Sequence, residues 1–66
     1  MKLTEIQKVI LEELINGCTN QQIAEKISYS QRSTIRKIKN LCKLFNVNNR
    51  YELIKEGVIV KSAGEL

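Results

Sequence analysis

The stretch Thr19-Asn20-Gln21-Gln22-Ile23-Ala24-Glu25-Lys26-Ile27-Ser28-Tyr29-Ser30-Gln31-Arg32-Ser33-Thr34-Ile35-Arg36 decides the fold. Thr19 and Gln22 have the spacing of a capping box, in which the threonine hydroxyl accepts from the Gln22 amide while the glutamine side chain reaches back to the Thr19 amide. Ile23, Ala24 and Ile27 then share one helical face, so the spacing predicts a short helix over about 20 to 27. Ser28-Tyr29-Ser30 has no helical periodicity, yet Ser30 suits the next N-cap, so the chain turns for about three residues and starts another helix. Two helices joined by so short a turn have the spacing of a helix-turn-helix.

Upstream, Thr4-Glu5-Ile6-Gln7 repeats the capping-box pattern. Ile6, Ile10 and Leu14 recur every four residues with Leu3, Leu11 and Ile15 beside them, and Asn16-Gly17 offers a left-handed end, so a first helix is expected over about 4 to 16. Downstream, a wheel centred on Ile38 gathers Thr34, Ile35, Leu41, Cys42 and Phe45 within about 60° on either side, opposite Arg32, Ser33, Arg36, Lys39, Asn40 and Lys43. This third helix is expected over about 31 to 45, broken by Asn46-Val47-Asn48-Asn49. Asn49 and Glu52 form a capping pair for a fourth helix carrying Tyr51, Leu53 and Ile54, which Gly57 is expected to stop, so that it covers about 49 to 56. Val58-Ile59-Val60 reads as an apolar strap packing back on the domain, and residues 61 to 66 as a frayed end. The fold class is all-α: four helices in one domain spanning 1 to 66, with Ile10, Leu14, Ile23, Ile27, Ile38, Leu41, Phe45 and Val47 in the core.

Composition narrows the function. Sixty-six residues carry eleven Lys plus Arg, and seven acids that are all Glu, with no His, Pro or Trp. That describes one small basic domain, burying only about 60% of the surface its unfolded chain would expose, and a partner or second copy would help it. Without His or Asp, a metal site has almost no ligands, no cofactor is implied, and a serine nucleophile has no evident base, so catalysis is not expected. No apolar run approaches the roughly 20 residues of a membrane span, and Met1-Lys2-Leu3-Thr4 lacks a signal peptide's apolar stretch. The expected location is the cytoplasm, with Cys18 and Cys42 reduced and packed as small hydrophobes, a redox switch being the alternative.

Charge placement says more than the net +4. Residues 1 to 30 hold three Lys against four Glu and residues 51 to 66 two Lys against three Glu, whereas residues 31 to 50 hold six cations and no acid. A run of cations is often only a solvated face. Here the cations share a helix face with Gln31, Ser33 and Asn40, hydrogen-bonding types suited to base edges and phosphates. A membrane-seeking helix needs an exposed apolar face, but the apolar face of the third helix is required for the common core.

Three stretches carry a family resemblance: Leu3-Thr4, Asn16-Gly17-Cys18-Thr19-Asn20-Gln21-Gln22-Ile23-Ala24 and Phe45-Asn46-Val47-Asn48-Asn49-Arg50. Together they resemble the LuxR-type, or GerE-type, helix-turn-helix domain over about residues 3 to 55, with Gly-x-Thr-Asn-x-x-Ile-Ala the most specific part. The family's Thr-Val near the start of the recognition helix reads Ser33-Thr34 here, its following Lys reads Ile35, and its Gly before Val is Asn46. The resemblance implies a four-helix domain in which helix 2 braces the DNA backbone, helix 3 enters the major groove and helix 4 mediates dimers. Starting at Met1, the chain resembles the members that consist of this domain alone.

On that basis the expected partner is double-stranded DNA. Arg36, mid-arc near the start of helix 3, suits a two-hydrogen-bond grip on guanine, with a phosphate contact as the alternative. Arg32, Lys39 and Lys43 flank it, Ser33 and Asn40 lie on the adjoining edge, and Gln31 and Lys37 complete the set. Thr19, Asn20 and Gln21 at the positive end of helix 2 suit another phosphate, or serve as plain caps, or both. Tyr29 is expected in the core rather than as a stacking platform. The family's dimer contact falls on Tyr51, Ile54, Lys55 and Val58. A fourth helix of two turns offers too little for the roughly 1,200 Å² of a stable interface, so a weak homodimer that pairs cooperatively on DNA is expected. The second reading is an interaction module that modulates another LuxR-type regulator or RNA polymerase; a sigma-factor DNA-reading domain is a third.

Overall fold

The computed structural model describes residues 2–66, which form α1 (Glu5–Ile15), α2 (Asn20–Ile27), α3 (Gln31–Phe45) and α4 (Arg50–Ser62), with no strand among the described residues. Each helix begins where a side-chain oxygen meets an otherwise orphaned amide. Thr4 Oγ1 accepts from Gln7 N at 3.2 Å, Thr19 Oγ1 from Gln22 N at 3.2 Å, Ser30 Oγ from Ser33 N at 3.1 Å and Asn49 Oδ1 from Glu52 N at 2.9 Å. The two glutamines close their boxes, accepting from Thr4 N at 2.9 Å and Thr19 N at 2.8 Å. At α4 the returning Glu52 carboxylate accepts instead from Asn48 N at 3.0 Å, one residue ahead of the cap.

α1 packs against the other three helices, and α3 packs against α2 and α4. The centre is Ile10, Leu11 and Leu14 of α1, Ile23 and Ala24 of α2, Ile38 and Leu41 of α3 and Leu53 of α4. Five expected core residues, Ile10, Leu14, Ile23, Ile38 and Leu41, are buried, while Ile27, Phe45 and Val47 are half-buried and pack on the rim. Thr34 is fully buried where the family has Val, and its hydroxyl donates to the Ser30 carbonyl at 2.9 Å, so no polar atom is left orphaned. α2 and α3 end on left-handed residues, Ser28 (φ 61°) and Asn46 (φ 56°), the latter standing where the family has Gly.

The extent of α4 corrects the expectation from sequence. Gly57 does not end the helix but lies inside it, buried, where a Cβ would sit 3.4 Å from both Ile15 Cδ1 and Leu11 Cδ2. The glycine lets α4 approach α1 closely; it does not supply a left-handed end. Val58-Ile59-Val60 therefore continue the helix and form no strap. The end comes at Gly64 (φ 78°), where Gly64 N donates to Lys61 O at 3.0 Å and Glu65 N to Val60 O at 3.1 Å. Residues 61 to 66 are not a frayed end either: Lys61 and Ser62 are helical, Lys61 Nζ pairs with Glu12 Oε1 at 2.6 Å, and Leu66 packs against the core. Among the described residues no helix is long and apolar enough to cross a membrane.

Candidate nucleic-acid interface

Helical spacing places Arg32, Arg36, Lys39 and Lys43 in one stripe about 60° wide along α3, and all four are exposed. Ion pairs among the described residues join Lys8 to Glu5, Lys26 to Glu13 and Lys61 to Glu12, so none neutralises the stripe. With no acid between residues 31 and 50, the cations present an uncompensated positive face, the condition for an electrostatic hold on a polyanion. Asn40 is exposed beside the stripe, Ser33 is half-buried on the same edge, and Gln31 is exposed in the first turn.

Lys37 lies apart from the stripe. It is half-buried at the opposite margin of α3, and its Nζ sits 4.4 Å from the centroid of the Tyr29 ring. Tyr29 itself corrects an expectation: it is 42% exposed rather than core. Ser28, just before it, is left-handed (φ 61°).

At the start of α2, Thr19 is occupied by its capping box and Gln21 is exposed. Asn20 Oδ1 accepts from Arg50 Nη1, and Arg50 Nη2 donates to the Cys18 carbonyl at 2.8 Å. Arg50 stands in the sequence as one of the six cations and as the end of the family-like stretch 45 to 50, with no role assigned to it. A signal was there: a cation in the first turn of a helix opposes the macrodipole and calls for acceptors from elsewhere. Asn20 and Arg50 line a cleft of about 430 Å³ together with Lys39, Lys43 and Asn48 and the apolar side chains of Ile35, Ile38 and Cys42, so α2, α3 and α4 meet at one cleft that carries three cations.

Both cysteines are free thiols and half-buried. Cys18 Sγ donates to Glu13 Oε1 at 3.2 Å, and Lys26 Nζ contacts Glu13 Oε2 at 3.3 Å. The Cys18 thiol foremost, then the lysine, holds the Glu13 carboxyl below the usual glutamate range, while that carboxylate pushes the Cys18 thiol up. Cys42 is raised by burial first and then by Glu52. Thiols held protonated in this way are poor nucleophiles. Among the described residues no cluster of metal-ligating side chains occurs.

The outer face of α4 exposes Tyr51, Lys55, Val58 and Ile59, with Lys55 Nζ 5.8 Å from the Tyr51 ring centroid. Ile54, expected on this face, is half-buried against the core instead. Ile59, expected in an apolar strap packed back on the domain, is 61% exposed on this face.

Comparison with curated proteins and with solved structures gave no match. The family model described as "Bacterial regulatory proteins, luxR family" (GerE) matches residues 1–56, most of the chain and all of α1, α2 and α3. With that match standing on a four-helix, helix-turn-helix architecture and an uncompensated cationic third helix, the chain belongs to the luxR family of bacterial regulatory proteins.

Proposed function

We propose that this domain is a sequence-specific duplex-DNA-binding transcription regulator of the cytoplasm that docks α3 in the major groove. The observation that carries the reading is the exposed stripe Arg32, Arg36, Lys39 and Lys43, unpaired and without an acid on its helix. Arg36 grips a guanine edge, while Arg32, Lys39 and Lys43 hold phosphates, with Ser33, Asn40 and Gln31 at the groove's walls. Thr19, Asn20 and Gln21 meet the adjoining backbone, and Lys37 reaches phosphate only from the margin set by Tyr29. An interaction module for another LuxR-type regulator or RNA polymerase would tolerate acids on the outer face of α3; this face has none.

Two copies pair weakly through α4, using Tyr51, Lys55, Val58 and Ile59. The helix is longer than its sequence suggested, yet 13 residues make a face about 20 Å long and 10 Å wide, or about 200 Å² per copy. Doubling that stays well below the roughly 1,200 Å² of a stable interface, so pairing is completed on a two-fold operator.

Electrophoretic retention of random-sequence duplexes, followed by sequencing of the retained fraction, tests the reading. A recovered two-fold consensus is expected; retention with no sequence preference would reduce α3 to a backbone clamp, and no retention at low salt would refute DNA binding.

A further inference from the structure

We propose that Arg50 is a positioning residue for DNA binding: its guanidinium fixes the side-chain amide of Asn20 at the start of α2 so that the amide's N–H donors face the DNA backbone. The inference rests on the DNA-binding reading above and adds to it a residue that reading does not use.

Arg50 opens α4 and Asn20 opens α2, thirty residues earlier. The two helices do not otherwise pack on one another; each is held through α1 and α3. The guanidinium spans the gap, donating through Nη1 to Asn20 Oδ1 and through Nη2 to the Cys18 carbonyl at 2.8 Å. These acceptors flank Thr19, the N-cap of α2, so one planar fork holds both sides of the cap. Once Oδ1 is committed to Arg50, the Asn20 amide cannot flip, and its Nδ2 hydrogens point away from the guanidinium. Among the described residues Nδ2 donates to nothing. Asn20 shares a cleft with Lys39 and Lys43, two of the stripe cations, so the residue lies beside the proposed phosphate contacts. A lysine at 50 would keep the charge but has no fork with which to hold two acceptors at fixed separation.

The test measures fluorescence anisotropy with a mixed-sequence duplex of about 24 base pairs, two helical turns with a margin, in about 50 mM salt. Arg50→Lys and Arg50→Ala are each expected to lose affinity about tenfold, as Asn20→Ala does, with the slope of log affinity against log salt unchanged. The double variant Arg50→Ala/Asn20→Ala should lose no more than either single one, because both remove the same contact. Retained affinity in Arg50→Lys, losses that multiply in the double variant, or a slope reduced by about 0.9 on Arg50→Ala would overturn the proposal, the last by showing that Arg50 itself holds a phosphate. Circular dichroism checks that each variant is folded. Should Arg50→Ala unfold, Asn20→Asp decides the matter: it keeps the acceptor for Arg50 and removes the amide donor, so the fold should persist while affinity falls about tenfold or more, and unchanged affinity overturns the proposal. Failure of the wild-type chain to bind the duplex would be a different result, removing the DNA-binding reading and this inference with it.

Discussion

Replacing Gly57 by Ala tests how α4 meets α1, and the structure sets both the sign and the size of the effect. Gly57 has helical backbone geometry in the middle of α4, and glycine there costs about 0.8 to 1.0 kcal/mol of helix propensity relative to alanine. The added Cβ would lie 3.4 Å from Ile15 Cδ1 and Leu11 Cδ2, the ends of two flexible side chains at the edge of ordinary van der Waals contact. The methyl group therefore fits, and its burial adds up to about 0.8 kcal/mol less whatever the two side chains lose in adjusting. A net gain of about 1 kcal/mol is expected, which in a domain of this size raises Tm by about 4 to 8 °C. Urea titration should show a higher midpoint at unchanged m value. Gly57→Leu, which must push both neighbours aside, should instead cost about 1 to 3 kcal/mol. A loss of stability in Gly57→Ala of about 1 kcal/mol or more would refute the reasoning, since that is the cost of forcing alanine into the left-handed end that the sequence suggested at this position.

Three further outcomes are expected. Ile59→Glu puts a charge on the exposed outer face of α4, so sedimentation should show weaker self-association and half-site titrations less cooperativity, at unchanged Tm; Ile54→Glu, by contrast, should unfold the domain because Ile54 packs on the core. The fold holds Glu13 ionised below the usual glutamate range, so its contribution is present above that range and is lost as pH falls through the lowered value. Glu13→Gln should therefore show a smaller drop in Tm than wild type between neutral and acid pH, and an equal drop would exclude Glu13 as a source of acid sensitivity.

Much of the fold was legible because its decisive signals are local. The hydroxyls of Thr4, Thr19 and Ser30 and the amide of Asn49 cap helices through partners three residues away, and the period of Ile38, Leu41 and Phe45 against Arg36, Lys39 and Lys43 separates core from cationic face within one helix. What escaped depends on partners distant in sequence. A glycine that ends a helix and one that admits a neighbouring helix look alike until Leu11 and Ile15 are seen against Gly57. That one ambiguity put Ile59 in a strap rather than on the outer face, while the family resemblance placed Ile54 there. Arg50 was legible as a cation but not as a link, because its acceptors lie in the loop before α2 and on Asn20. Tyr29 was misplaced: apolar type pointed the ring inward, whereas it stands exposed beyond the left-handed Ser28 with the Lys37 ammonium 4.4 Å from its centroid.

The central claim, that α3 holds duplex DNA through an uncompensated cationic stripe, is tested most directly by the salt dependence of affinity. Arg32, Lys39 and Lys43 each neutralising one phosphate per bound copy give a slope of log affinity against log salt of about −2.7, or about −3.6 with Lys37 at the margin, and Lys43→Ala should make it shallower by about 0.9 for every sequence alike. Arg36→Ala should instead cost about 1 to 3 kcal/mol with a relaxed preference at one base pair. A flat salt dependence, or a slope that Lys43→Ala leaves unchanged, would contradict the account.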